Sequence, residues 1–297
     1  MGRIKVLQHS LNSGILSPTA FGRVDISKYY NSVADGLNTV CHPHGGQFKR
    51  NGFQYVATLA GDGRLIKFAF NVSQAYILAF TDNNIAIYKD DVFVQDVTTT
   101  YTLAQVKEIG FAQSADTMII THEDHIPRKL VRDSGTGTWS ISDITLTNIP
   151  KHDFGSGDED VVSVTRGYPK YCTFHEARLW YAGLKSRPQT ILGSKTNDFY
   201  NLDLGTSLAD EGIYDTLDTD QVNPIVNIYG GRQLQVFTEG GEFSNTATPI
   251  KPDDSVWKRH TQHGSKENIR PVMLDGATMF MDRTGRNLRD FVFSFAE

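Results

Sequence analysis

Apolar residues along this chain gather into short runs of three to five positions, set apart by polar turns, and the runs recur in blocks of three. One block holds Ile66–Phe70, Tyr76–Phe80 and Ile85–Tyr88; the next holds Ile109–Phe111, Met118–Ile120 and Arg128–Val131. A third comprises Tyr171–Phe174, Leu179–Ala182 and Thr190–Leu192. Two more follow, with Ile225–Tyr229, Leu234–Phe237 and Glu242–Phe243, then Pro271–Leu274, Met279–Met281 and Asn287–Phe293. Runs this short, rich in Ile, Val, Phe and Tyr, predict strands rather than helices. Asp82-Asn83-Asn84, Gly230-Gly231, Glu239-Gly240-Gly241 and Thr284-Gly285 supply residues that tolerate the positive φ of tight strand reversals.

The five blocks start roughly 45 to 60 residues apart, the period expected when each repeat builds one small antiparallel sheet around a common axis. An all-β, propeller-like array is therefore predicted, with blades over 61–297 and an extended arm and lead-in over 1–60. A blade cannot bury two apolar faces alone, so neighbours are expected to stack and the ring to close. The arm shows little strand alternation, and Ser32–Leu37 is read as a helical turn because Val33, Ala34 and Leu37 share a face. The polar stretches Lys151–Asp160 and Asp198–Asp220 are read as insertions between strands.

Composition narrows the function classes. In 297 residues, 39% hydrophobic content supports a substantial core, while a net charge of −5 argues against a dedicated nucleic-acid binder. Two cysteines, Cys41 and Cys172, are too few for a disulfide framework or zinc cluster. No secretory leader and no membrane-length apolar run is legible, so synthesis in a cytoplasm and no membrane partner are expected.

Candidate chemistry is sparse. Cys41-His42-Pro43-His44 has metal-ligand residue types without a second cluster, and His122-Glu-Asp-His125 spaces its histidines by three where a zinc-protease helix needs four. Asp153–Asp160 carries carboxylates suited to calcium but lacks a bidentate Glu at the proper offset, and is read as a solvated acidic loop. Asp133-Ser-Gly-Thr-Gly-Thr-Trp139 looks like a degenerate sialidase-type Asp-box turn with its spacing one residue too long. Neither a nucleophile elbow nor a phosphate loop is present. The expectation is no catalysis, no metal and no cofactor. Arg178, beside the apolar run Leu179–Ala182, is expected to be structural, paired with backbone carbonyls or with a carboxylate such as Glu176 or Asp198.

Several elements together resemble the tail nozzle proteins of short-tailed bacteriophages. They are Leu11-Asn-Ser-Gly-Ile-Leu-Ser-Pro18, Phe21-Gly-Arg-Val-Asp25, Lys28-Tyr29, Gly45-Gly46, Lys49-Arg-Asn-Gly52 and Tyr55-Val-Ala57. Phe111–Asp116, Phe174–Gly183, Pro188-Gln189 and Ser194–Asp198 continue the likeness in the same order. Ile15, Lys49 and Asn51 depart from the pattern, where an acidic residue, Arg and Pro are usual. The resemblance implies a virion structural protein: a homo-oligomeric, hexameric ring below the portal and its adaptor, contacting other tail proteins and passing double-stranded DNA with low affinity. On that reading Leu16, Ser17, Pro18, Phe21, Gly22, Arg23, Asp25, Lys28, Tyr29 and Tyr30 form an assembly interface. Two other classes compete: a propeller glycosidase or tail-associated depolymerase, and a generic protein-binding propeller.

Overall fold

The computed structural model describes residues 7–292. The chain divides into two compact units, Met1–Ala57 and Thr58–Glu297. The second unit is a five-bladed β-propeller. Blade one is Arg64–Ala69, Ala75–Thr81, Asn84–Lys89 and Val92–Thr98. Blade two is Gly110–Ser114, Thr117–His122, His125–Arg132 and Trp139–Asp143. Blade three is Pro169–His175, Arg178–Leu184, Thr190–Gly193 and Ile213–Thr216. Blade four is Ile225–Gly230, Leu234–Thr238, Glu242–Asn245 and Trp257–Thr261. Blade five, among the described residues, has three strands, Val272–Leu274, Ala277–Met281 and Leu288–Phe291. Every sheet is an antiparallel meander in chain order.

The core lies between blades, because side chains alternate across each strand and one strand feeds two seams. In Arg178–Leu184, Trp180 and Ala182 pack with Ile228 and Val236 of blade four, while Leu179 and Tyr181 pack with Ala112 and Ile119 of blade two. Phe68, Leu78 and Phe80 of blade one meet Met118, Ile120 and Leu130 of blade two. Phe237 of blade four meets Phe280 and Phe291 of blade five. Each such side chain, fully buried, contributes about 1.5–3 kcal/mol.

The seam between blades five and one differs from the other four. Among the described residues, no buried apolar cluster joins blade five to blade one. Leu65 and Ile77 remain exposed on blade one, as do Val272, Leu274 and Leu288 on blade five. Some expectations are corrected. Asp198–Asp220 is no mere insertion, since it contains the fourth strand of blade three. Lys151–Asp153 and Asp158–Asp160 pair as a hairpin. Ser32–Leu37 is not helical: Val33 bridges Ile15, and the helical turns are Pro18–Ala20 and Tyr29–Asn31. The bridge satisfies Leu16 N–H through Val33 O at 2.9 Å, which a helical Val33 could not do. The short helix Leu103–Val106 lies outside the arm, held by a capping box between Thr102 and Gln105.

Inner strands approach so closely that glycine is required. A Cβ at Gly110 would sit 2.3 Å from Lys170 O, and one at Gly230 would sit 2.4 Å from Phe174 O. Gly110→Ala is therefore expected to destabilise the protein by about 3 kcal/mol, since backbone cannot yield as a side chain can. Gly61→Ala, with nothing within 4 Å of its Cβ, should stay within about 0.5 kcal/mol of wild type in urea unfolding. Equal midpoints for the two variants would refute the close-approach argument.

Candidate functional site in the propeller bore

The first strand of blade three packs against the first strands of blades two and four around the propeller axis. Their axial residues, with Arg64 from blade one and Asn268 and Arg270 from the lead into blade five, enclose a cavity of about 20 Å³. Phe111 forms one wall, and the guanidinium carbons of Arg64 and Arg270 lie 5.6 and 4.5 Å from its ring centroid. Arg64 Nη1 donates to Ile109 O at 2.8 Å, and Asn227 Nδ2 donates to Ile269 O at 3.1 Å. Burial lowers the pKa of both arginines, and Arg270 lowers that of Arg64 further by repulsion.

Beside this cavity is a second polar cluster. Lys170, almost fully buried, places Nζ 2.7 Å from Glu267 Oε1 and 3.3 Å from Glu108 Oε2. Burial alone would lower its pKa, but Glu267 and Glu108 outweigh it and hold the ammonium above its ordinary range. Glu108 Oε2 is also 4.0 Å from His122 Nε2. Burial, then repulsion by His125, depresses the His122 imidazole to about 4. Burial also raises the Tyr171 phenol and pushes the Cys172 thiol up to about 12.

The residues singled out by sequence fall elsewhere. Arg178 is buried, and its partners are carbonyls: Ser194 O and Glu211 O from Nη1 and Ala209 O from Nη2, each at 2.6 Å. Glu176 and Asp198 do not pair with it as carboxylates. Glu176 Oε2 instead accepts Ile250 N–H at 2.8 Å, and Asp198 Oδ2 accepts Asn201 Nδ2 at 3.1 Å. Carbonyls win because three strand and loop ends converge there with no other donor for their oxygens. Asp133 Oδ1 accepts Gly135 N–H, Thr136 N–H and the Thr136 hydroxyl, which lowers its pKa and makes it a turn former. Asp153 Oδ1 similarly accepts Gly155 and Gly157 N–H. His122 and His125 flank a hairpin turn, and His42 Nδ1 accepts His44 N–H at 3.2 Å. Among the described residues, no group of three or more His, Cys, Asp or Glu side chains is placed to hold a metal ion.

In the arm, Leu16, Phe21, Tyr29 and Tyr30 come together, lining with Gln8, Ser32, Val33 and Ala34 an open groove of about 490 Å³. Arg23 and Asp25 form an exposed bidentate pair at 2.8 and 2.6 Å. Ser17 bonds Thr19, Pro18 opens a helical turn, Gly22 takes φ 82° and Lys28 O accepts the Ser32 hydroxyl. The bore residues Arg64, Phe111 and Arg270 were not singled out by sequence. The available signal was an arginine at the threshold of the first run in two blocks, before Leu65 and before Pro271.

No protein-family profile matches the chain, and no curated protein matches it. Among solved structures it is similar to Kluyveromyces lactis Hsv2, at 10% identity and TM-score 0.38 over 70% of this chain and 55% of that one. It is also similar to the extracellular domain of a B. thetaiotaomicron protein described as a hybrid two component system, at 10% identity and TM-score 0.46 over 84% of this chain and 30% of that one. The chain thus spans about half the length of the first and under a third of the second.

Two outcomes follow from the buried groups. Arg178→Met should cost about 3–5 kcal/mol in denaturant unfolding, because three buried carbonyls lose their donor, while Arg178→Lys should recover part of that loss. A neutral Arg178→Met would show the bonds to be dispensable. For His122 the unfolded imidazole titrates near 6.5 and the folded one near 4, so the unfolded chain binds more protons between those values. Stability should be flat above pH 7 and fall as pH drops through that window, with His125 acting in the same direction. His122→Asn, which keeps an acceptor for Asp124 N–H, should make this acid limb shallower; an unchanged slope would exclude His122 as its source.

Proposed function

We propose that this chain is a non-catalytic structural subunit of a phage tail nozzle, assembling through its arm into a ring that joins the adaptor and portal above it. The observation that carries this reading is the arm itself: no residue between 7 and 57 is buried, although the segment forms defined turns, a bridge and a two-stranded pairing. Phe21, Tyr30, Leu37, Phe53 and Tyr55 stay exposed. A segment with that much apolar surface and that much fixed backbone suits burial against another chain. The arm groove supplies a pocket, and Phe21 or Tyr30 of a neighbour supplies the kind of anchor that fills one.

DNA would run along the axis of the assembled ring. The cavity among the inner strands of the propeller, about 20 Å³, is far too small for a duplex. A net charge of −5 suits a wall that must let phosphates slide past. On this reading the protein acts in the virion, needs no cofactor and is made in the host cytoplasm.

Electron microscopy and light scattering of the full-length protein test the proposal. Rings with rotational symmetry and an opening wide enough for a duplex are expected, six subunits being what the resemblance implies. Phe21→Ser with Tyr30→Ser should shift the population to folded monomer. A wild-type protein that stays monomeric at high concentration would refute arm-driven assembly. Hydrolysis of a polysaccharide that is lost on Asp133→Asn would favour the glycosidase instead.

A further inference from the structure

Arg270 and Arg64 converge on one small cavity, and among the described residues no carboxylate forms an ion pair with either. Both guanidinium groups face the same Phe111 ring, whose negative face offers a weak partial counter-charge. Arg64 spends Nη1 on the carbonyls of Ile109 and Lys107, and its remaining N–H groups stay available. The one carboxylate in the wall, Glu108, turns toward Lys170 at 3.3 Å, which it shares with Glu267. Cys172, also in the wall, is fully buried, and burial raises its pKa so that it stays a neutral thiol. Asn227 has committed its amide N–H to Ile269 O. Two partly desolvated cations that repel each other cost free energy unless an anion sits between them.

We propose that the bore binds one monovalent anion of chloride size, held by Arg64 of blade one and Arg270 at the threshold of blade five. Size sets the choice. A cavity of about 20 Å³ suits one small ion better than sulfate, phosphate or a carboxylate tail. Position gives the anion its role, because among the described residues no apolar cluster joins blades one and five. An ion shared by their arginines links the first and last blades, replacing repulsion with attraction at the seam.

The test is thermal unfolding of the full-length protein at fixed ionic strength, with sodium gluconate replaced stepwise by sodium chloride, bromide or sulfate. Chloride and bromide should raise the midpoint saturably, by about 3 °C at ten times the dissociation constant, and sulfate should not. Arg270→Met should lose this halide-specific rise while still responding to ionic strength. Equal midpoints in gluconate and chloride, or an undiminished rise in Arg270→Met, would overturn the proposal. Should Arg270→Met fail to fold, the chloride-35 resonance of the wild-type protein decides. A line broadened by the native protein and narrowed by bromide supports the site; a line no broader than with unfolded protein overturns it.

Discussion

The fold depends on how near the first strand of blade three lies to its two neighbours. Gly110 of blade two and Gly230 of blade four face the Lys170 and Phe174 carbonyls of that one strand, at distances that leave no space for a methyl group. Polar bonds then lock the same strand on both sides. Thr121 Oγ1 donates to Lys170 O at 2.8 Å, and Gly230 N–H donates to Thr173 Oγ1 at 3.2 Å. Backbone contact at the axis brings the wider parts of the sheets to a separation that Trp180, Tyr181 and Phe243 can fill.

Much of this was legible in the sequence. Alternation within Ile66–Phe70 and the short continuous apolar run Leu179–Ala182 mark strands whichever blade they enter, because both are local patterns. The outer strands were harder to see. Trp139–Asp143 and Trp257–Thr261 are largely polar, since the rim of a blade faces water and has no apolar pattern to maintain. The uneven apolar cover of the seams was hidden for a related reason. Leu65 and Leu274 look like core residues by type, and only the three-dimensional arrangement shows that nothing buried covers them.

The polar sites followed the same division. That Arg178 would be structural could be argued from its place beside an apolar run, but its partners lie in distant segments and are main-chain atoms, which carry no side-chain signature. The arginines of the bore meet only because blades one and five both border the axis. Their sequence neighbourhoods give no sign that they share a cavity. Arm residues Leu16, Phe21, Tyr29 and Tyr30 were easier to group, because they lie within one short stretch that folds on itself.

Among the described residues no apolar cluster spans the seam between blades five and one, so resistance to local opening is graded around the propeller rather than uniform. In a blade array each unit is held by its nearest neighbours, and one with less apolar cover is held less firmly. Blade three is gripped on both faces, whereas among the described residues blade five has three strands and shares an apolar cluster with blade four alone. Amide protons should therefore exchange most slowly at the centre of the array and progressively faster toward blade five. A mechanical load applied to the molecule would meet its softest element there, and the blades around Trp180 would hold their shape while the seam yields.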